Sequence, residues 1–191
     1  MNTTHHHVDT KNLRGKVLQA TGVNINECYQ CGKCTAGCPL NQDMDYQPNQ
    51  VLRMLQTDLP GYEDKILGSM SIWLCLACNQ CYSRCPQSIA LANVMDFLRQ
   101  ESLRQGKMNP KAKNILKFHE SFLSSIQKYG RLHEMGLVMD YKMKTMNLLQ
   151  DVTLAPSMMA KGKLHFFPHK IKNMKDIKNL FDKTKGKGGN K

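Results

Sequence analysis

The sequence predicts an all-α protein, and three observations support that fold class. Apolar residues recur at intervals of three and four along most of the chain, as they do on one face of a helix. Eight cysteines form two runs of identical spacing, and each run is followed by proline and then by a helical pattern. No stretch reaches the roughly eighteen apolar residues that a membrane span requires. We therefore expect a helical scaffold built around two cysteine runs.

The two cysteine runs have the spacing of bacterial ferredoxins, in which three thiolates bind one 4Fe-4S cluster and the fourth binds the neighbouring cluster. This spacing predicts two such clusters as cofactors. The first cluster is expected on Cys28, Cys31, Cys34 and Cys85, and the second on Cys75, Cys78, Cys81 and Cys38, with Pro39 and Pro86 directly after the fourth cysteine of each run.

Two other uses of eight cysteines have to be considered. Four disulfides would suit an oxidising compartment, but residues 1–10 are polar and do not resemble a signal peptide, so we expect a cytoplasmic protein. Two tetrahedral zinc sites are the stronger alternative, because CxxC pairs are common in zinc-binding domains. Zinc motifs usually separate their cysteine pairs widely, whereas here three cysteines follow at two-residue gaps before Cys-Pro. The pattern favours iron-sulfur clusters.

The first half of the chain predicts four helices around these runs. A lead-in helix over residues 11–20 ends before Gly22, and a second begins at Pro48 and continues to Asp58. A third covers Glu63 to Ala77. The fourth follows Pro86, with Ser88 as its N-cap and an end near Gly106. Gly32 and Gly37 are expected to supply backbone turns close to the first run.

The second half changes in character, because it has no cysteine and most of the positive charge. Residues 1–100 carry eight Lys and Arg against eight Asp and Glu, while residues 101–191 carry nineteen against seven. Helical patterns cover residues 115–126 and the methionine-rich stretch 132–149. A short amphipathic stretch includes Met174, Ile177, Leu180 and Phe181. Such a basic half suits an acidic protein, an anionic membrane or a nucleic acid.

The runs themselves carry a resemblance to a known family. Cys-Gly-Lys-Cys-Thr-Ala-Gly-Cys-Pro at residues 31–39 and Trp-Leu-Cys-Leu-Ala-Cys-Asn-Gln-Cys at residues 73–81 are similar to the small iron-sulfur C subunit of heterodisulfide reductase from methanogenic archaea. The resemblance extends to the helical stretch after Met108 and to Phe-Pro-His-Lys-Ile-Lys near the C-terminus. It implies a helical ferredoxin-like domain with two 4Fe-4S clusters, followed by a helical extension and a basic C-terminal tail.

The same resemblance implies a function in electron transfer. In that family a flavin-containing A subunit passes electrons through the C subunit to a catalytic B subunit, which reduces the coenzyme M-coenzyme B heterodisulfide in methanogenesis. Hydrogenase or formate dehydrogenase subunits are further partners that it suggests. We expect this chain to be an oxidoreductase subunit without a catalytic site of its own, since it has no nucleotide-binding glycine fingerprint, P-loop or catalytic triad motif.

The expected organisation has four parts: an N-terminal segment over 1–20, the two-cluster domain over 21–106, the helical extension over 107–160 and a basic partner-docking tail over 161–191. Two alternative functions stay open at this point. Iron-sulfur subunits of glycolate oxidase and anaerobic glycerol-3-phosphate dehydrogenase share this type of scaffold. A zinc-binding nucleic-acid module would also use a basic tail, although its lysines are not interleaved with stacking aromatics and we expect no nucleic-acid partner.

Overall fold

The structure is a computed structural model that describes residues 12–146 and 171–185. Every regular element in these two ranges is helical, which confirms the predicted all-α class. The chain divides into two compact units, Met1–Ala112 and Lys113–Lys191. Predictions for residues 1–11, 147–170 and 186–191 lie outside the described residues, and the four domain ranges given above remain predictions.

Seven helices and two 3-10 turns form the described part of the first unit. Their bounds are α1 Leu13–Thr21, the 3-10 turn Ile25–Glu27, α2 Lys33–Ala36, α3 Pro48–Thr57, α4 Tyr62–Leu67, α5 Ser71–Leu74, α6 Gln80–Arg84 and α7 Leu91–Arg104. A second 3-10 turn over Pro110–Ala112 closes this unit.

The core of the first unit joins the long helices α1, α3 and α7 with the short helices α4 and α5. Aliphatic side chains fill it, and burial of each contributes about 1.5–3 kcal/mol of transfer free energy. The fully buried members are Leu13, Val17, Val51, Leu52, Leu55, Ile66, Leu67, Ile72, Val94, Met95 and Leu98. The cysteine-bearing segments lie outside this core, and it holds the helices that flank them in place.

Three predicted helices are confirmed near their expected bounds. The helix α1 ends at Gly22, whose φ of 71° is the left-handed conformation typical of a glycine C-cap. The helix α3 begins with Pro48 in its first turn, where the missing amide hydrogen costs nothing. The helix α7 ends just before Gly106, which has a φ of 66°.

The single helix predicted over residues 63–77 is wrong. The structure has two short helices there, α4 and α5, interrupted at Gly68. The helix α5 starts anew because the Asp45 carboxylate accepts hydrogen bonds of 2.8 Å from the backbone N–H groups of both Met70 and Ser71. Side chains that satisfy these free amides stabilise a helix start, and here the acceptor is distant in sequence.

The predicted start of the fourth helix is also wrong. Ser88 is not its N-cap, because α7 begins three residues later at Leu91 and Ala90 occupies the cap position. Ser88 has a φ of 50°, in the left-handed region, and its N–H donates to the Cys85 carbonyl at 3.1 Å. It therefore belongs to a turn that follows the second cysteine run.

The second unit contains α8 Lys113–Tyr129, α9 Glu134–Thr145 and, beyond residues 147–170, α10 Met174–Lys185. The helices α8 and α9 pack together where Ser121 and Ser125 are buried. His133 caps α9, because its Nδ1 accepts from the Gly136 N–H at 3.1 Å. Two of the three methionines of α9 do not fill a core, since Met139 and Met143 are 61% and 65% exposed.

Among the described residues, no helix is both long enough and apolar enough to cross a membrane. The longest, α8, has seventeen residues and carries Lys113, Lys117, Glu120 and Lys128.

A buried carboxylate on α7 contacts both the end of its own helix and α1. Glu101 is 5% exposed and accepts two hydrogen bonds from Arg104, at 2.6 Å to Nε and 2.5 Å to Nη2. It also accepts from Gln105 at 2.7 Å and from Lys16 of α1 at 3.5 Å. The hydrogen bonds from Arg104 lower the pKa of Glu101 to about 2, against an ordinary value of 4.5.

We predict that Glu101→Gln lowers the urea midpoint of unfolding, because a buried carboxylate that accepts several charged hydrogen bonds is replaced by a neutral amide. The folded-state pKa lies below the unfolded one, so this stabilisation is complete above about pH 4.5 and is lost as the pH falls towards 2. The difference between wild type and variant should thus stay constant from pH 6 to 8. Glu120→Gln, on the exposed surface of α8, is the matched control. Equal midpoints for wild type and Glu101→Gln would contradict the prediction.

Candidate iron-sulfur centre

All eight cysteines lie on the short helices α2 and α6 or in the loops beside them, and all are free thiols. Cys31 and Cys78, the second cysteine of each run, are exposed, whereas the other six are partly buried. Each run therefore presents one thiol to the surface and turns three towards the protein interior.

The cysteines line two hollows, and each hollow takes thiols from both runs. The first hollow is lined by Cys28, Cys31 and Cys34 together with Cys81 and Cys85. The second hollow is lined by Cys75, Cys78 and Cys81 together with Cys34 and Cys38. The structure therefore brings each expected set of four cysteines into one hollow.

The lining of the hollows suits a thiolate-bound iron-sulfur cluster, because five cysteines line each of them. Apart from the cysteines, the walls include apolar side chains such as Leu52 and Ile89 in the first and Met44 and Met95 in the second. In the described part of the chain, no group of three or more His, Cys, Asp or Glu side chains could hold a single metal ion. The thiols are spread around the two hollows.

Left-handed backbone turns recur at equivalent places in the two runs. Gln30 and Ala77, two residues after the first cysteine, have φ of 60° and 51°. Gly32 and Asn79, directly after the second cysteine, have φ of 74° and 58° and begin α2 and α6. Such turns cost free energy in residues other than glycine. Their repetition indicates that both runs adopt the same backbone path.

The prediction for the two glycines of the first run is half correct. Gly32 adopts the expected left-handed turn. Gly37 does not, because its φ is −98° and any residue can adopt it. Its lack of a side chain instead makes room for Arg84 of the second run, whose Cδ would lie 2.6 Å from a Cβ at this position.

Cys34 and Cys81, the third cysteine of each run, lie in the walls of both hollows. Burial raises the pKa of both thiols above the ordinary value, and nearby thiolates at Cys28 and Cys75 add to this effect. Burial thus disfavours the thiolate form of both side chains. Iron, which binds the thiolate form, would supply the missing positive charge.

Hydrogen bonds to the fourth cysteine and across the runs complete the site. The Ile89 N–H donates to Cys85 Sγ at 3.4 Å, the kind of contact that influences the potential of an iron-sulfur cluster. The Gln87 side-chain amide donates to the hydroxyl of Tyr29 and links the two runs at the first hollow. Tyr29 is 69% exposed, and Leu76 beside the second hollow is 65% exposed.

A side-chain clamp holds the first cysteine of each run. In the first half, Gln56 Nε2 of α3 donates to the carbonyl oxygens of Ile25 and Cys28, at 3.0 Å and 2.9 Å. In the second half, Arg99 of α7 donates from Nε to the Ile72 carbonyl at 2.5 Å and from Nη2 to the Cys75 carbonyl. The two clamps have the same design, because each binds the first cysteine of its run and the residue three positions earlier.

Gln56 and Arg99, which form the clamps, were not predicted from the sequence. Gln56 and Arg99 stand at different distances along the chain from the cysteines they hold, so no repeated spacing marks them. One signal was present: an isoleucine, Ile25 or Ile72, occurs three residues before the first cysteine of each run.

Asp45 provides a further tie between the loop after Cys38 and the helix that leads to Cys75. Besides capping α5, its carboxylate accepts from the Ser71 hydroxyl, and Ser71 Oγ accepts from the Tyr46 N–H at 2.8 Å. Burial raises the pKa of Asp45, but the hydrogen bonds from Ser71, Met70 and Tyr46 outweigh it and lower the pKa overall. The ionised form is therefore the one that holds this tie.

Comparison with protein families identifies this part of the chain. Residues 24–89, which include all eight cysteines, match the 4Fe-4S dicluster domain. This match confirms the predicted cofactors, two 4Fe-4S clusters.

Curated relatives match a longer part of the chain. Over 108 residues, 56% of this chain and 57% of the relative, it is 31% identical to the C subunit of H(2):CoB-CoM heterodisulfide,ferredoxin reductase from Methanothermobacter thermautotrophicus. It is 36% identical to the iron-sulfur C 2 subunit of CoB–CoM heterodisulfide reductase from Methanocaldococcus jannaschii over 106 residues, 51% of this chain and 55% of the relative. With the C subunit of ferredoxin:CoB-CoM heterodisulfide reductase from Methanosarcina mazei it shares 30% identity over 100 residues, 52% of this chain and 60% of the relative.

The chain thus spans a little over half the length of these relatives. The part that matches the domain holds all the cysteines that line the two hollows. Residues 24–89 match the 4Fe-4S dicluster domain, and the chain is similar to the iron-sulfur C subunits of methanogen heterodisulfide reductases.

Proposed function

We propose that this chain is the electron-transfer subunit of a heterodisulfide reductase. Two 4Fe-4S clusters carry electrons across it, from a flavin-containing A subunit to a catalytic B subunit that reduces the coenzyme M-coenzyme B heterodisulfide. The observation that supports this most directly is the pair of adjacent hollows, which share Cys34 and Cys81 in their walls. Clusters in these hollows would be close neighbours, an arrangement suited to electron transfer from one to the other.

The proposed ligands follow the hollows. The first cluster takes Cys28, Cys31 and Cys34 from its own run and Cys85 from the other run, and the second takes Cys75, Cys78 and Cys81 with Cys38. Cys34 and Cys81 reach both hollows, but each belongs by spacing to the cluster of its own run. This assignment uses all eight cysteines, so we place the chemistry on the substrate in the B subunit.

The names of the relatives support a relay that is independent of the electron source. The donor in the name is hydrogen for one relative, ferredoxin for a second, hydrogen or formate for a third, and ferredoxin or reduced F420 for a fourth. Each of the four is a C subunit. We therefore propose that donor-specific subunits, such as a hydrogenase or formate dehydrogenase, act upstream of the flavin-containing A subunit. The complex would work in the cytoplasm, where thiols stay reduced.

Two surfaces of the chain suit contacts with neighbouring subunits. Exposed apolar side chains lie beside each hollow, at Tyr29 and Leu76, next to the exposed thiols of Cys31 and Cys78. A redox partner at either place would approach a cluster closely. The basic segment 161–191 is the other proposed contact, and its described helix α10 carries the exposed Lys175 and Lys178.

We expect the protein purified without oxygen to be brown and to contain about eight irons per chain, with the broad visible absorption of thiolate-ligated clusters. Metal analysis and an absorption spectrum check this. A colourless protein with zinc in place of iron would overturn the proposal and favour the zinc-binding alternative.

Serine variants test the crossed fourth ligands. Cys85→Ser should alter the same EPR signal as Cys31→Ser, because both residues are assigned to the first cluster. Cys38→Ser should alter the signal that Cys78→Ser alters. The two variants within the runs are the matched controls, since their assignment does not depend on crossing. If Cys85→Ser instead reproduces the effect of Cys78→Ser, each run binds its own fourth cysteine and the crossing is wrong.

The relay itself is tested in the assembled complex. Purification of this chain from its native source should yield homologues of the A and B subunits. With purified subunits, electron transfer from the reduced A subunit to the heterodisulfide should fall to background when this chain is omitted, and should return when the chain with both clusters is added. Full activity from the other two subunits in the absence of this chain would exclude it from the electron path.

A further inference from the structure

The two clamps share one geometry but differ in charge. The carbonyls of Ile25 and Cys28 receive their hydrogen bonds from a neutral amide, that of Gln56. The equivalent carbonyls in the second half, those of Ile72 and Cys75, receive theirs from the guanidinium of Arg99. A cation therefore lies against the backbone of a second-cluster ligand at the place where the first half has an uncharged group.

The charge of Arg99 is weakly balanced by other protein groups. Its side chain is only 18% exposed, and the described part of the chain offers one carboxylate within ion-pair distance, Asp96, at 4.0 Å. That carboxylate is 62% exposed, so water screens it. A largely buried cation is costly without an opposite charge nearby. The thiolates of a cluster in the second hollow, which begin at Cys75, would supply that charge.

The cations near the first hollow are placed differently, and Arg84, which precedes Cys85, is exposed to solvent. Arg14 donates to the Gln56 carbonyl at 2.9 Å and to Asn26 Oδ1 at 3.3 Å, so it binds the outer side of the clamp and not Cys28. Lys33 contributes to the wall of the first hollow but is exposed to solvent. Solvent screening weakens the effect of such a charge, whereas Arg99 acts through a partly buried path.

We infer that Arg99 is a positioning residue that also raises the reduction potential of the second cluster above that of the first. Reduction adds one negative charge to a cluster, and a nearby cation stabilises the reduced form more than the oxidised form. The neutral Gln56 clamp lacks this effect. The second cluster is then the one on which an electron resides preferentially. This inference relies on the ligand assignment made under the proposed function.

The decisive variant is Arg99→Gln, which copies the clamp of the first half and removes one charge. At a fixed solution potential, the ratio of reduced to oxidised second cluster should fall about tenfold, equivalent to a downward shift of about 59 mV for a one-electron couple. The midpoint of the first cluster should not move. EPR-monitored redox titration of the holoprotein measures both midpoints, and the Cys31→Ser and Cys78→Ser spectra assign them to the two clusters.

Three further variants separate charge from structure. Arg99→Lys keeps the charge, so the midpoint of its second cluster should stay near that of wild type. The variant loses the guanidinium that donates to two carbonyls, and the protein should therefore unfold at a lower temperature. Gln56→Arg introduces a guanidinium into the first clamp and should raise the midpoint of the first cluster instead. Arg53→Gln removes an exposed charge from α3 and should leave both midpoints unchanged.

The outcomes distinguish this inference from the proposed function. An Arg99→Gln protein with both clusters intact and an unmoved second midpoint would overturn the role of Arg99 alone. If Arg99→Gln does not retain its second cluster, the test is made with Gln56→Arg. A midpoint of the first cluster that does not rise in this variant would overturn the inference. Absence of two iron-sulfur clusters from the wild-type protein would instead overturn the proposed function.

Discussion

The convergence of cysteines from both runs on each hollow is the constraint on which the rest of the first unit depends. Each hollow takes thiols from both runs, so α2 and α6 must stay at a fixed separation and orientation. The aliphatic core beneath them provides this by joining α1, α3 and α7. Through the clamps, α3 holds the backbone of Cys28 and α7 holds the backbone of Cys75. The packing of the helices thereby determines the geometry of the thiols.

Much of this arrangement could be predicted from the sequence, because its determinants are local. Cysteine spacing predicts the clusters since the three closely spaced ligands of a cubane come from one short segment. The helices α1, α3 and α7 follow from apolar periodicity and from local end signals such as Gly22 and Pro48. Residues 24–89, where the motif lies, are also the part that matches a family.

Features that depend on contacts between distant residues could not be predicted in this way. The break between α4 and α5 depends on Asp45, which is about twenty-five positions from the amides it caps. The apolar periodicity of residues 63–77 is not affected by that distant carboxylate, so it predicts one continuous helix. Gln56 and Arg99 were missed for the same reason, since each acts on carbonyl oxygens that are brought near only by folding. Local patterns describe the ligands, and long-range contacts decide how they are held.

The position of Cys34 and Cys81 in the walls of both hollows has a consequence for how the protein acquires its iron. Burial raises the pKa of both thiols, so iron that binds them has to displace protons within a partly buried site. Once a cluster fills one hollow, Cys34 and Cys81 are already fixed in the wall of the other, so filling the second hollow costs less conformational entropy. Assembly should then be cooperative: chains with a single cluster should be scarce beside empty and fully loaded ones.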